Sequence, residues 1–427
     1  MKMRRPWLCV AMLLLAACGS RSALSDGAVA AKDAGTGGRA VSPSPSRWGM
    51  VTPPAGNPGG KPGGKPGGNP GGSTGTTTPP RDAETARPVT RDLDLLFMID
   101  TSKSMEPLQK KLAERLPDFM EVLKNLPGGL PDVHVAVISS ALGAGIFGNV
   151  SGCFPGSPGN DGGKFQHAAG CSALPPDQTF IRSAGGVNNF TGDISDVFTC
   201  IALLGDSGCG FEHQFESTRQ ALRKAADAGD PDNGGFLRPN ANLAIVMLTN
   251  EDDCSVSADS TLFDPSSLSV TDPSGLGGLQ SYRCNEFGHL CGGRRPPHTL
   301  PASMTLEGCV AAEGKGRLTT VGEFVDFLRG IKPGQPDKVF VAAIAGPATP
   351  YAVEPGVFVL GDGSRETQPR VAHSCQQTTG EYADPGVRIK QWVDAFGANG
   401  TFQPICADDF KPALVAIAQA IAQKLVQ

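Results

Sequence analysis

Arg91-Asp-Leu-Asp-Leu-Leu-Phe-Met-Ile-Asp100 is a mainly apolar run that ends in an acidic residue, and Thr101-Ser-Lys-Ser-Met105 follows it. Continuous apolar runs are typical of strands that are buried on both faces of a parallel sheet. Apolar residues then recur at helical spacing, which predicts an amphipathic helix that Pro117 kinks or splits. These residues are Leu108, Leu112, Leu116, Phe119, Met120 and Leu123. A strand, a polar loop and a helix in this order place the loop where open α/β sheets bind their ligands.

The polar loop has the pattern Asp100-x-Ser102-x-Ser104, which offers one carboxylate and two hydroxyls on a single turn. Hard oxygen ligands of this kind suit Mg²⁺, Ca²⁺ or a similar cation. We therefore expect these three residues to bind a divalent metal ion, either directly or through water.

The chain beyond this helix alternates strand-like and helix-like segments. Apolar runs predict strands at 133–140, 242–249, 338–345 and 402–406, and helical spacing predicts helices at 215–226, 320–330, 387–396 and at the C-terminus. Repeated alternation predicts a parallel sheet between two helical layers. We therefore expect an α/β protein with a three-layer, Rossmann-like fold and a central, mostly parallel sheet.

The segment Leu95-Leu-Phe-Met-Ile-Asp100-Thr-Ser-Lys-Ser-Met105 resembles the first strand and the DxSxS motif of von Willebrand factor A (VWA) domains. In that family the motif binds a divalent ion at the metal-ion-dependent adhesion site (MIDAS). The ion keeps one coordination position free for a carboxylate of a partner protein. The resemblance implies that residues 89–427 are a VWA-like domain with an adhesion-type, protein-binding function and Mg²⁺ or Ca²⁺ as its cofactor.

In VWA domains two more loops complete the metal site, and one of them follows the strand that here ends at Thr249. The family usually has an aspartate directly after this strand, whereas this chain has Asn250. An amide oxygen still binds a cation but carries no charge, so the resemblance implies a weaker site. Asp252 and Asp253 are the candidates to compensate for the missing charge.

The other loop normally supplies a threonine before a helix, and Gly208-Cys-Gly-Phe-Glu212 occupies that place in this chain. The resemblance implies that Glu212 substitutes for the threonine. Thr218 is the alternative, although we expect it to lie inside the helix. A degenerate site without metal also stays open, and it would leave the domain as a metal-independent scaffold of the cell envelope.

Further segments resemble a narrower group, the cysteine-rich bacterial VWA lipoproteins, from about residue 90 to the C-terminus. These segments are Gly208-Cys-Gly-Phe-Glu212, Asn233-Gly-Gly-Phe-Leu-Arg238, Glu251-Asp-Asp-Cys-Ser255, Tyr282-Arg-Cys-Asn-Glu-Phe-Gly288 and Ser374-Cys375. The resemblance bears on the fold and the location of the protein more than on an activity.

The N-terminus has the pattern of a bacterial lipoprotein signal peptide. A basic start and a short apolar segment precede Leu15-Ala-Ala-Cys18, which resembles a lipobox. The resemblance implies that residues 1–17 are removed and that Cys18 is acylated, whereas an ordinary secretory signal is the alternative. Gly19 stands where an aspartate would favour the inner membrane. We therefore expect a lipid anchor in the outer membrane, with the protein facing the periplasm or the cell surface.

Residues 18–88 are rich in Gly and Pro and include four consecutive Xaa-Pro-Gly-Gly repeats between Asn57 and Gly72. Such a segment lacks the apolar side chains that build a core, so we expect a disordered, solvated linker. The linker would hold the domain at a distance from the membrane.

The chain has 12 cysteines, of which Cys9 lies in the signal peptide and Cys18 would carry the lipid. The other ten are Cys153, Cys171, Cys200, Cys209, Cys254, Cys284, Cys291, Cys309, Cys375 and Cys406. An even number in an exported chain predicts disulfides, and the sequence has no Cys-x-x-Cys pair that would favour zinc.

Several of these cysteines lie in two stretches that we expect to be disulfide-held insertions, at about 141–195 and 255–318. Segments without a core of their own often depend on such bonds. The expected pairs are Cys153–Cys171, Cys200–Cys209 and Cys375–Cys406. The pairing of the remaining four cysteines stays open.

The composition and the motifs narrow the classes of function. A net charge of −5 argues against nucleic acid as a partner, because a phosphate-binding surface needs an excess of basic residues. The sequence has no HExxH or P-loop pattern, and its one Gly-x-Ser-x-Gly match lies in the linker at 71–75. We therefore expect a binding protein with an unidentified protein partner rather than an enzyme, and a metal-dependent hydrolase is the least favoured alternative.

Overall fold

The computed structural model describes residues 91–154, 156, 159–167, 170–359 and 364–426. The predicted signal peptide at 1–17, the acylated Cys18 and the linker that ends at residue 88 all lie outside the described residues. In the described part of the chain, no helix is both long enough and apolar enough to cross a membrane.

The described residues form the following strands and helices. The strands are β1 Leu93–Ile99, β2 Val133–Ser139, β3 Ile181–Ala184, β4 Val187–Asn188, β5 Asn242–Leu248, β6 His289–Cys291, β7 Met304–Leu306, β8 Cys309–Ala311, β9 Val339–Ala345, β10 Tyr351–Val359, β11 Arg365–Ala372, β12 Cys375–Gln376, β13 Tyr382–Ala383 and β14 Gly400–Pro404. The α-helices are α1 Glu106–Lys124, α2 Ile194–Ile201, α3 Gln214–Ala226, α4 Tyr282–Gly288, α5 Val321–Ile331, α6 Val387–Ala395 and α7 Lys411–Leu425.

Within the described ranges, the central sheet has the strand order β14-β9-β5-β1-β2-β3-β4. Strand β1 pairs in parallel with β2 and with β5, and β9 pairs in parallel with β5 and β14. Strands β3 and β4 extend one edge in the antiparallel direction. The predicted α/β class and the mostly parallel sheet are therefore confirmed. The pairing also brings the carboxyl ends of β1 and β5 side by side.

The two faces of β1 pack against different helical layers, because successive side chains of a strand point to opposite sides. Leu95 and Phe97 lie in a core with residues of α1, α2 and α7. Leu96 and Met98 lie in a second core with residues of α3, α5 and α6. All four side chains are fully buried, so β1 is the centre of a three-layer arrangement.

Helix α1 runs without a break through Pro117, so the prediction that this proline splits the helix is wrong. A proline inside a helix costs about 3 kcal/mol, because it removes a hydrogen bond and crowds the preceding turn. Leu116 and Phe119 lie on either side of it and are fully buried. Each buried side chain of this size contributes about 1.5–3 kcal/mol, which offsets the cost.

A second, antiparallel sheet of the described residues has the order β11-β10-β7, and no pattern in the sequence predicted it. Strands β10 and β11 form a long hairpin, and β10 also pairs with β7. Tyr351 and Val353 of β10 pack with Val371 of β11 in a small core of their own. The short strands β12 and β13 follow this hairpin in the chain.

The ten cysteines among the described residues form five disulfide bonds, as their even number predicts. The pairs are Cys153–Cys209, Cys171–Cys200, Cys254–Cys284, Cys291–Cys309 and Cys375–Cys406. The predicted Cys375–Cys406 pair is confirmed. The four cysteines whose pairing stayed open form the third and fourth of these bonds.

The predicted pairs Cys153–Cys171 and Cys200–Cys209 are wrong. The segment after β2 folds over the loop before α3. His213 Nε2 of this loop lies 2.9 Å from the Gly143 carbonyl oxygen of the segment. The same two stretches are linked by the Cys153–Cys209 bond. Cys171 bonds instead to Cys200 in α2. Each cysteine of this segment is therefore linked to a neighbouring element in space rather than to the next cysteine in the sequence.

Candidate functional site

Asp100 follows β1 directly and is fully buried at the carboxyl edge of the sheet. Its carboxylate accepts a hydrogen bond from the Ser102 amide at 2.7 Å and another from Thr249 Oγ1 at 2.6 Å. Since Thr249 follows β5, these bonds fix the carboxylate between two paired strands. Burial raises the pKa of Asp100 above its ordinary value, and the bonds from Thr249 and Ser102 oppose this shift.

The two serines of the predicted motif lie beside Asp100 in one hydrogen-bonded chain with Asn250. Ser102 Oγ lies 3.3 Å from Ser104 Oγ, and Asn250 Nδ2 donates a hydrogen bond to Ser104 Oγ at 3.0 Å. Asn250 Nδ2 also donates to the Tyr382 carbonyl at 3.1 Å. Ser102 is buried, whereas Ser104 is partly exposed, so this chain of polar groups reaches the solvent at Ser104.

Glu212 belongs to the same site, although it is more than a hundred residues away from the motif in the sequence. Its side chain is buried just before α3, and Oε2 accepts a hydrogen bond from Ser140 Oγ. The other oxygen, Oε1, has no hydrogen-bond donor among the described residues. Burial raises the pKa of Glu212 well above its ordinary value, and the charge of the neighbouring Asp100 raises it further.

Thr218, the alternative to Glu212, lies within α3 and not at the site. Its side chain is fully buried, and its hydroxyl donates a hydrogen bond to the Gln214 carbonyl at 2.8 Å, one turn earlier in the same helix. Of the two residues that the sequence analysis weighed for this loop, only Glu212 therefore lies next to Asp100.

Glu251 is a third acid at this site, and the sequence analysis did not identify it. Burial raises the pKa of its carboxyl group well above the ordinary value, and the charges of Asp100 and Asp384 raise it further. Glu251 is also one of the charges that raise the pKa of Glu212, after burial and Asp100. The sequence carried one signal, since Glu251 is the first acid after Asn250.

Asp252 and Asp253, which we expected to compensate for Asn250, have other partners. Asp252 accepts hydrogen bonds from the Arg388 amide at 2.9 Å and from the Ile389 amide at 3.1 Å, and so caps α6. Asp253 Oδ2 lies 2.9 Å from Arg388 Nη2, and Oδ1 accepts from the Phe215 amide at the start of α3. Neither residue therefore compensates for Asn250, and the acids that act on one another with Asp100 are Glu212 and Glu251.

Asp100, Glu212 and Glu251 form no ion pair with a cationic side chain in the part of the chain that the structure describes. Among the described residues, no cationic side chain acts on the pKa of Asp100, Glu212 or Glu251. In the same part of the chain, no group of three or more His, Cys, Asp or Glu side chains has the arrangement of a metal-binding cluster. A cation at this site would therefore depend on the two serine hydroxyls and the Asn250 amide as well as on carboxylates.

The available donors are all oxygens, and Oε1 of Glu212 still lacks a partner among the residues the structure describes. Oxygen donors suit Mg²⁺ and Ca²⁺, whereas zinc sites favour nitrogen and sulfur. The side chains present thus fit a hard divalent cation.

We expect Glu212 to make the stability of the metal-free protein fall as the pH rises above the unfolded pKa of a glutamate, about 4.3. A raised pKa means that the folded state favours the protonated acid. This stabilisation is complete below the unfolded pKa of about 4.3 and is lost as the pH rises through the folded pKa. Each unit of raised pKa corresponds to about 1.4 kcal/mol.

The measurement is urea unfolding in the presence of EDTA, with Glu212→Gln as the reference variant. This variant keeps the buried His213, whose lowered pKa makes stability change with pH in the opposite sense. The free energy of unfolding of the wild type relative to the variant should fall as the pH rises above about 4.3. A difference that stays constant or grows with pH would contradict the prediction.

The structure brings together all five residues that the sequence analysis proposed as metal ligands. These are Asp100, Ser102, Ser104, Glu212 and Asn250. Comparison with family models and with curated proteins gave no match for this chain. The chemistry of the site is therefore inferred from its own side chains.

Proposed function

We propose that this protein is an extracytoplasmic, membrane-anchored binding protein whose VWA-like domain captures a partner protein through a divalent cation. Asp100, Ser102 and Ser104 would hold Mg²⁺ or Ca²⁺, with Glu212 and Asn250 as further ligands. The observation that carries the proposal is the pair of buried carboxyl groups, Asp100 and Glu212, without a cationic neighbour among the described residues. A divalent cation would neutralise both groups, and when bound it would offer a coordination position to a carboxylate of the partner.

The position of the site supports a binding role. It lies at the carboxyl ends of β1 and β5, where α/β sheets commonly bind ligands. The three-layer α/β architecture is compatible with a VWA domain, and the resemblance of the Asp100-x-Ser102-x-Ser104 loop to the DxSxS motif favours that family. We propose binding rather than catalysis because the sequence offers no hydrolase motif in a suitable structural context.

The proposed location rests on two features. Five disulfide bonds within the described residues suit an oxidising compartment outside the cytoplasm. The lipobox-like segment that ends at Cys18 favours a lipid anchor in the outer membrane, with the domain facing the periplasm or the cell surface. The lipobox resemblance implies three acyl chains on Cys18, two on the sulfur and one on the new amine, and these would exceed the two signals needed for stable anchoring.

A metal-independent scaffold is the second candidate, and one specific observation favours it. The Asp100 carboxylate already accepts two hydrogen bonds, and Ser102, Ser104 and Asn250 already bond to one another. In this alternative Glu212 would stay protonated, and the surface of the domain rather than a cation would bind the partner.

Calorimetry on the purified full chain tests the proposal. After removal of bound metal with EDTA, titration with Mg²⁺ and then with Ca²⁺ should reveal one site. We expect a Kd of roughly 10⁻⁴ to 10⁻³ M, the range of extracellular calcium modules, because Asn250 lacks a charge. A second experiment captures partners from cell envelopes with and without chelator, and capture should require the cation.

The absence of both a binding heat and a rise in melting temperature at about 10 mM of either ion would overturn the metal part of the proposal. Capture that resists the chelator would favour the scaffold.

A further inference from the structure

A cleft of about 270 Å³ lies between the start of α4, the β10–β11 hairpin and β13. Phe358 of β10 and Arg370 of β11 contribute to its lining, together with Ser281 and Asn285 from the start of α4. Pockets that enclose drug-sized ligands measure roughly 300–1,000 Å³, so this cleft suits a smaller ligand of about one ring.

The phenyl ring of Phe358 lies across the hairpin at the position of Gly356. Both residues are on the same side of β10 as Glu354, which is paired with Arg370 in the ladder. A Cβ atom at Gly356 would come within 2.9 Å of both the Phe358 ring and the Cδ atom of Arg370. Because Gly356 has no side chain, the ring and the arginine stem lie close to the strand. They give the cleft a partly exposed apolar surface.

The charged groups of the cleft already have partners within the protein. Arg370 forms an ion pair with Glu354 on the neighbouring strand. His373 Nδ1 lies 2.7 Å from Asp384 Oδ1, and the imidazole ring stacks on the Tyr382 ring with 3.7 Å between the centroids. A charged ligand would therefore have to compete with one of these existing contacts.

The lining also disfavours a ligand with a net charge of either sign. An anion would meet the carboxyl groups of Asp384 and Glu251, and a cation would meet the guanidinium group of Arg370. Like charges placed against each other strongly disfavour binding. A neutral ligand avoids both penalties.

The neutral polar side chains of the cleft favour hydroxyl groups on this ligand. Ser281 offers a hydroxyl, and Gln280 and Asn285 offer amides, so the lining contains both donors and acceptors. A hydroxyl group donates one hydrogen bond and accepts two, so it can pair with each of these side chains and with a carboxyl group. A sugar ring carries several hydroxyls around its edge. Its C–H groups suit the negative face of an aromatic ring such as that of Phe358.

We propose that this cleft binds one neutral six-membered sugar ring, with its C–H face on Phe358 and its hydroxyls towards Ser281 and Asn285. This activity is separate from the proposed capture of a partner through a cation, because none of the five proposed cation ligands, all of which the structure describes, lines the cleft. On an exported protein, such a ring would belong to a glycan of the cell envelope.

Ligand-observed NMR titration of the full chain with glucose and with N-acetylglucosamine tests this inference. Glucosamine and glucuronate are the matched controls, since they have the same ring with a positive or a negative charge at about pH 6. We expect at least one neutral sugar to bind with a Kd of roughly 10⁻³ to 10⁻² M, as its small number of atoms allows. Both charged sugars should bind at least about tenfold more weakly than that neutral sugar. The experiment is run in EDTA, so its outcome does not depend on whether the cation site functions.

Two variants locate the binding, and circular dichroism checks that each of them is folded. Phe358→Ala should weaken the binding of the neutral sugar roughly tenfold, because the ring loses its apolar contact. Ser281→Ala removes one hydrogen-bonding group and should weaken it roughly threefold to tenfold. Phe154→Ala is the control for loss of an exposed phenyl ring, since Phe154 is 54% exposed on the loop after β2, and it should leave binding unchanged.

Three results would overturn the proposal. The first is that neither neutral sugar binds at about 100 mM, well above the expected Kd. The second is that glucosamine or glucuronate binds as tightly as the neutral sugars do. The third is that binding of the neutral sugar survives unchanged in both Phe358→Ala and Ser281→Ala, which would place it outside this cleft.

Discussion

The Asp100→Ala variant should bind Mg²⁺ or Ca²⁺ at least about 100-fold more weakly than the wild type, because loss of even an outer contact of a metal site costs 10–100-fold. Asp100 supplies the only carboxylate of its loop, and its position is fixed by Ser102 and Thr249. The remaining hydroxyls and the Asn250 amide carry no charge, so only Glu212 and Glu251 would be left to attract the ion. Calorimetric titration of the metal-free variant is the measurement.

Loss of the charge at position 100 should act in the opposite direction on the stability of the metal-free protein. Asp100 is fully buried, and its charge raises the pKa of Glu212. Removal of one of two close acids relieves this repulsion, so in EDTA the conservative Asp100→Asn variant should be more stable by about 1–2 kcal/mol. In saturating metal ion the wild type should be the more stable of the two proteins, because it gains more binding energy than the variant.

Asp259→Ala provides the control, since this residue is an exposed aspartate on the loop after β5. It should change neither the affinity for the cation nor the stability. If Asp100→Ala binds the cation as well as the wild type does, the metal ion binds elsewhere. If the variant has lost the cation but still captures the partner, the metal-independent scaffold is the better description.

The Arg388→Met variant should lose about 3–5 kcal/mol of folding free energy, which is the usual cost of leaving a buried charge without its partner. Arg388 is 1% exposed, and its Nη2 lies 2.9 Å from Asp253 Oδ2. Nη2 also donates to the Thr319 carbonyl at 2.5 Å. Without the guanidinium group, Asp253 would keep its charge in the interior with only neutral donors.

Urea unfolding at neutral pH measures this loss. Arg329→Met is the matched control, because Arg329 Nη2 donates to the Ala395 carbonyl at 2.7 Å on the exposed surface. Arg329→Met should change the free energy of unfolding by no more than about 0.5 kcal/mol, as most surface substitutions do. A loss below about 1 kcal/mol for Arg388→Met would mean that Asp253 does not depend on this ion pair.

The sequence was sufficient to predict the parallel strands of the central sheet, because most of them are continuous apolar runs. It did not predict the edge strands β3 and β4, which are short, partly polar and part of the stretch 141–195 that was expected to be an insertion. The run that forms β1 is buried on both faces, and the structure gives the same strand. The hairpin of β10 and β11 was not predicted because it lies outside that sheet. Pro355 and Gly356 interrupt the apolar pattern of the β10 sequence, and the β11 sequence is largely polar. Neither segment therefore has the sequence pattern of a buried strand.

The candidate site was predictable where a residue follows a strand directly, as Asp100 and Asn250 do. It was not predictable where the path of a loop decides which side chain points inward. In the run from Glu251 to Asp253, Glu251 is the residue whose pKa the charge of Asp100 raises, while Asp252 and Asp253 bind the start of α6 and Arg388. The two wrong disulfide predictions have the same cause. The spacing of cysteines in a sequence does not show which loops meet in space.

The bond between Cys153 and Cys209 makes formation of the candidate site depend on cysteine oxidation. Cys209 is buried shortly before Glu212 in the same loop, so this bond anchors the segment that carries the second buried acid. Thiols stay reduced in the cytoplasm and are oxidised after export. A chain that is exported as proposed would therefore complete its binding site only outside the compartment where it is made, and it would stay inert towards cytoplasmic partners during its synthesis.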